Sequence, residues 1–140
     1  MIVKQVSVFV ENTVGRLADL TKILTDNNID LKASTIAETV DFGILRCIVE
    51  EPEKTVKILV ENGFSASISE VTGVFLEDKP GGLHKVLAVL AEAGIAVNYI
   101  YSTIKSAEGK AIIMMKTSDA AKAEEVLKAS GVELAGADSF

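Results

Sequence analysis

The 140 residues include 14 basic and 20 acidic side chains, a net charge of −6, and neither half holds the basic patch that a nucleic-acid surface requires. Apolar residues make up 49% of the chain but aromatics only 5%, so the core must be built from Val, Ile, Leu and Ala. No apolar run reaches the roughly 18 residues of a membrane helix, and Met1-Ile2-Val3-Lys4 lacks the features of a signal peptide, so the expectation is a soluble, cytoplasmic protein.

Gln5 to Val10 alternates with Val6, Val8 and Val10 on one side and reads as a strand. After a turn over Asn12 to Gly15, the spacing of Leu17, Leu20, Ile23 and Leu24 predicts a helix that stops at Asn27-Asn28, with Asn28 as a left-handed cap. Ile29 to Ile36 alternates again, and Asp41-Phe42-Gly43 reads as a hairpin turn into a strand over Ile44 to Val49. Cys47 sits in that strand as a buried structural thiol, and as the single cysteine it can form no internal disulfide. Pro52 opens a second helix whose buried face is Val56, Leu59 and Val60, and Asn62-Gly63 ends it before a strand over Phe64 to Ser69.

The same order then recurs. A strand spans Gly73 to Glu77, a helix Leu83 to Ala93 ends at Gly94, and a strand spans Ile95 to Ile104. A turn at Glu108-Gly109 leads to a strand over Lys110 to Lys116, a helix over Ala120 to Ala129 and a last strand over Val132 to Ala135. The recurrence is visible residue by residue, since Gly15 and Gly81 stand 66 apart and that shift also superposes Phe9 on Phe75, Glu11 on Glu77, Leu17 on Leu83 and Gly43 on Gly109. Two βαββαβ units therefore divide the chain into residues 1–70 and 71–140. The fold class is α+β: two ferredoxin-like units, each an antiparallel sheet with its helices on one face. Ala111 to Met115 is apolar at every position, which implies burial on both faces of that strand, and the open sheet faces imply pairing edge to edge or face to face.

Catalysis is not expected, because one His and one Cys offer no convergent set of titratable groups, and they lack the spacing of a metal site. No cofactor motif is present. The strand-to-helix turns are the stronger candidates. Gly15 and Gly81 let a guest approach the backbone, and the free amides of the following helix attract a carboxylate. Asn12, Asp78, Asp30 and Asn98 can receive an ammonium group, and Val14, Leu17, Pro80 and Leu83 can line an amino acid side chain, with Arg16 and Gly82 in the same turns. His84 in the first helical turn reads as a solvated residue or as a neighbour of such a ligand. On these residues alone, the alternative remains open that glycine only permits the turn and Asn or Asp only caps the helix.

The strand followed by Glu77-Asp78-Lys79-Pro80-Gly81-Gly82-Leu83, a helix and the Gly94-Ile95 turn resembles the ACT domain, and so does Glu11 to Leu17 in the first copy. The first copy departs from the family pattern with Val14 in place of proline and Asn28 in place of glycine. The resemblance covers the chain as two ACT units in tandem. It implies a non-catalytic regulatory protein that binds an amino acid between paired units, with Asn12, Gly15, Asp78 and Gly81 on the ligand-contacting turns and Asp30 and Asn98 on the facing strands. It further implies allosteric modulation of an amino-acid-metabolism enzyme, a homodimer, and no nucleic-acid or membrane partner. The alternative is a constitutive regulatory subunit similar to the small subunit of acetolactate synthase.

Overall fold

The computed structural model describes residues 2–103 and 110–140. The chain divides into two compact units, Lys4–Ser69 and Glu70–Phe140, the second including Ile2 and Val3 of the N-terminus. The elements in order are β1 (Ile2–Glu11), α1 (Arg16–Asp26), β2 (Ala33–Glu38), β3 (Phe42–Ile48), α2 (Pro52–Glu61), β4 (Ser65–Glu77), α3 (Gly82–Glu92), β5 (Val97–Ser102), β6 (Lys110–Thr117), α4 (Ala120–Ala129) and β7 (Leu134–Ala135). A 3-10 turn over Ala137–Ser139 follows.

In the first unit the strand order is β2-β3-β1-β4, with β3 antiparallel to both β1 and β2. In the second it is β5-β6-β4-β7, with β4 antiparallel to β6 and β7. Each is the ferredoxin-like order, reached because two βαβ crossovers interleave in one sheet.

The cores follow from period-two alternation against helical spacing. Val6, Val8, Val10, Leu45 and Cys47 of the first sheet meet Leu20 and Leu24 of α1 and Leu59 of α2. Val74 and Met115 of the second sheet meet Val86 and Leu90 of α3 and Ala123 and Leu127 of α4. At about 25 cal/mol per Å² of apolar surface removed from water, burial of this kind is the main favourable term in each unit. In β6, Met114 and Met115 point to opposite faces and both are 0% exposed, as the unbroken apolar run implies.

Helix ends lie where the sequence puts them. Asn28 has φ 56, and Gly63, Gly94 and Gly131 have φ 85, 71 and 77. Ile29 N–H then donates to Leu24 O at 2.9 Å, and the same bond recurs from Ile95 to Leu90.

Several boundaries differ from the sequence expectation. Ile29 and Leu31 are not in a strand: they pack on the core from the loop after α1, and β2 starts only at Ala33, opposite Ile48. Phe42 and Gly43 lie inside β3, and the turn is earlier, closed by Thr39 N–H donating to Phe42 O at 2.7 Å. Gly43 is small for another reason, since a Cβ there would stand 3.0 Å from Ile36 Cγ2 across the ladder. Val60 is 53% exposed, and the buried place on α2 belongs to Thr55, whose hydroxyl donates to Glu51 O at 2.9 Å. The strands expected over Phe64 to Ser69 and Gly73 to Glu77 are one, β4, because Glu70 to Thr72 stay extended. The last strand is only Leu134–Ala135. Ile104 and the Glu108-Gly109 turn lie outside the described residues.

Candidate functional site: the glycine turns

Both strand-to-helix turns are built alike. Gly15 and Gly81 take φ 85 and 90, a left-handed conformation that favours glycine, immediately before α1 and α3. Thr13 N–H donates to Glu11 O and Lys79 N–H to Glu77 O, each at 2.9 Å. Asp19 N–H then returns to Gly15 O, and Lys85 N–H to Gly81 O. Among the described residues, the amides of Leu17 and Ala18 in one turn and of Leu83 and His84 in the other have no hydrogen-bond acceptor.

Neither helix has a side-chain cap, whereas Asp119 caps α4 by accepting from Lys122 N–H at 3.0 Å. The capping role open to Asn12 and Asp78 is thus not the one they play. Asn12 instead donates through Nδ2 to Thr39 O and Val40 O, both at 3.3 Å, and ties its turn to the β2–β3 loop.

Around the second turn is an open cleft of about 430 Å³. Its walls are Phe75 to Glu77 at the end of β4, Lys79 to Gly82 in the turn, Lys85 and Val86 of α3, Lys110 of β6 and Ser130 to Glu133 after α4. Gly82 is where it is because a Cβ would come within 2.2 Å of Glu77 O. Lys79 forms an ion pair with Glu77, and Lys110 Nζ donates to Glu133 Oε2 at 2.8 Å. The hydrogen bond from Lys79 holds the Glu77 carboxyl below the usual carboxylate range, and its charge, with those of Lys85 and Lys110, adds to the effect.

The structure therefore gathers Pro80, Gly81 and Gly82 at one cleft. Leu83 stands at the same helix start without lining it, and His84 is exposed beside it. In the first unit Val14 is fully exposed and Leu17 is 40% exposed. Arg16 is turned inward: its guanidinium stacks 4.0 Å from the centre of the Phe64 ring, and its Nε faces Glu11 Oε2 at 3.4 Å without the alignment of a hydrogen bond. Asp30 and Asn98 are exposed, and within its own unit each lies beyond the far end of the helix that starts at the turn. An eleven-residue helix puts about 16 Å between its ends.

Sequence reasoning assigned no role to Lys79, Lys85, Lys110 and Glu133, because only the fold brings Lys110 and Glu133, from two distant stretches, beside the turn and helix that carry the other two. The visible signal was that the two units differ in side-chain size where the cleft lies, with Arg16 against Gly82 and Phe64 against Val132. Cys47 is 1% exposed, and burial pushes its thiol up to about 12, which fits a structural role. Among the described residues no group of His, Cys, Asp and Glu can hold a metal, and no helix is long and apolar enough to cross a membrane.

None of the curated proteins matches the chain. Among solved structures, protein BT0572 from Bacteroides thetaiotaomicron is 41% identical, with a TM-score of 0.93 over 99% of this chain and 95% of that one. The regulatory subunit of aspartate kinase from Thermus thermophilus, 15% identical, has a TM-score of 0.66 over 91% of this chain and 90% of its own. The corresponding subunit from Thermus flavus, also 15% identical, gives 0.63 over 90% and 88%. Those two likenesses are of fold. The ACT domain pair family matches residues 1–138, and with the βαββαβ order and glycine turns repeated in both units, the chain belongs to that family.

Proposed function

We propose that the protein is a non-catalytic regulator in the cytoplasm, a homodimer that binds a free amino acid where ACT units meet and thereby modulates an enzyme of amino-acid metabolism. The observation that carries this reading is the second glycine turn, where uncapped helix amides stand beside an open cleft of about 430 Å³, a size suited to a small zwitterion. The ligand carboxylate goes to the turn around Gly81 and its ammonium to Asp78 of that turn, while Asn12, Asp30 and Asn98 come to the ligand only from a facing ACT unit. Regulation requires that the ligand bind two domain arrangements with different affinity. The partner is an enzyme of that metabolism; the fold-related Thermus chains are regulatory subunits of aspartate kinase.

A thermal-shift screen against the twenty amino acids at millimolar concentration tests it. A ligand at 100 times its Kd raises apparent stability by about 2.7 kcal/mol. A selective rise for one amino acid or a related pair is the expected result; no rise with any of them overturns the reading.

A second reading, a constitutive regulatory subunit, is favoured by one feature. On the sheet face of the first unit away from its helices, Phe9 is 48% exposed and stacks on Phe42 with ring centres 4.6 Å apart, beside Ile44 in the paired strand. A protein that responds to no amino acid, yet is recovered with an enzyme through that face, fits this reading.

A further inference from the structure

The two units differ at the very place where a ligand would enter. Arg16 and Gly82 are the first helical residues after the left-handed glycine of their turns. Phe64 and Val132 are also equivalent, each following the left-handed glycine after α2 or α4 and donating its N–H, at 3.0 Å, to Leu59 O or Leu127 O. Gly82 and Val132 are both walls of the second unit's cleft. In the first unit the side chains at these two positions stack on each other, the guanidinium of Arg16 lying 4.0 Å from the centre of the Phe64 ring.

Charge adds a second distinction. The cleft is lined by Lys79, Lys85 and Lys110 against Glu77 and Glu133, an excess of one positive charge in a protein whose net charge is −6. Lys79 and Lys110 pair with Glu77 and Glu133, which leaves Lys85 outside any ion pair among the described residues. A zwitterion with a second carboxylate brings one net negative charge. One carboxylate goes to the free amides of the Gly81 turn and the ammonium to Asp78, as above, and the second carboxylate goes to Lys85.

The geometry points to a single ligand site per chain, in the second unit, that selects an acidic amino acid, while the first unit's counterpart is closed by its own Arg16 and Phe64. This inference rests on the amino-acid-binding reading above and narrows it to one unit and one ligand class.

The test uses the full chain, with L-aspartate, L-glutamate and, as neutral probes, L-asparagine, L-glutamine and L-leucine. Isothermal titration should give a stoichiometry of one per chain for an acidic probe, with at least tenfold weaker binding of its amide. Amide resonances of Gly81, Gly82 and Lys85 should move on titration while those of Gly15 and Arg16 stay in place. K85Q, on an exposed side chain, should keep the native thermal midpoint and lose at least tenfold in affinity for the acidic probe. Binding that is strongest for a neutral amino acid, two sites per chain, or full affinity in K85Q overturns the inference and leaves amino-acid binding standing. Absence of binding by any of the twenty amino acids overturns both.

Discussion

Two adjacent glycines in the second turn should respond in unequal measure to the same substitution. At Gly82 an added Cβ would stand 2.2 Å from Glu77 O, a backbone atom that cannot rotate away and that also accepts from Lys79 N–H at 2.9 Å. Forcing that contact costs about 1–3 kcal/mol, and loss of the turn hydrogen bond adds about 1, against about 0.4–1 recovered because alanine restricts the unfolded chain. The net for Gly82→Ala is roughly 1–3.5 kcal/mol, with about 2.3 at the centre of the range. With an unfolding entropy of about 2.1 cal/mol/K per residue, a single transition of the whole chain falls by about 3–12 °C, centred on about 8 °C. At Gly81 a Cβ meets nothing within 4 Å, and the penalty is only that of φ 90 for an L-residue. That is about 1–2 kcal/mol before the same recovery, so Gly81→Ala should fall by no more than about 5 °C. Differential scanning calorimetry of the two variants decides the matter. A Gly82→Ala midpoint within 2 °C of the native protein, or a larger loss from Gly81→Ala, would refute the claim that close backbone approach sets the shape of this turn.

Three further outcomes are expected. Cys47, with its thiol pushed up to about 12 from an ordinary 9.0, should resist a disulfide reagent at pH 8 until urea unfolds the chain. The unfolded thiol ionises first, so its contribution to stability is complete below pH 9 and declines as pH rises towards 12, and Cys47→Ala should flatten that alkaline limb in denaturant titrations. Asp119→Ala removes the cap bond to Lys122 N–H and should cost about 1 kcal/mol in urea unfolding, whereas Asn12→Ala, which caps nothing, should leave the helical circular dichroism unchanged. Leu90→Ala, at a side chain 0% exposed, should cost about 2–5 kcal/mol, while Val60→Ala on the half-exposed face of α2 should cost under about 1.

Helix ends were legible because a left-handed stop is a local event, written in Asn28, Gly63 and Gly94 with little help from the rest of the chain. Strand limits were not, since a strand begins where a partner begins. Ala33 opens β2 because Ile48 stands opposite, and Ile29 and Leu31 satisfy the same alternation from a loop. Glu70 to Thr72 read as a break only because the repeat suggested two strands, while nothing in Glu-Val-Thr opposes extension. The glycine turns were readable as a candidate ligand site from their own seven residues. The charged partners beyond those residues were not, because Lys110 reaches the cleft through pairing with Glu77, and Glu133 through a loop more than fifty residues from the turn.

The stack of Arg16 on Phe64 makes the fates of those two positions interdependent. An arginine without the ring loses its support, and a ring without the arginine leaves apolar surface uncovered, so the effects of changing each should not add. Variation at 16 and 64 in descendants of this duplicated chain is accordingly constrained to move in pairs. A change from the stacked pair to the small residues of the second repeat is then a two-step path whose single-substitution intermediate lacks the contact without gaining the cleft.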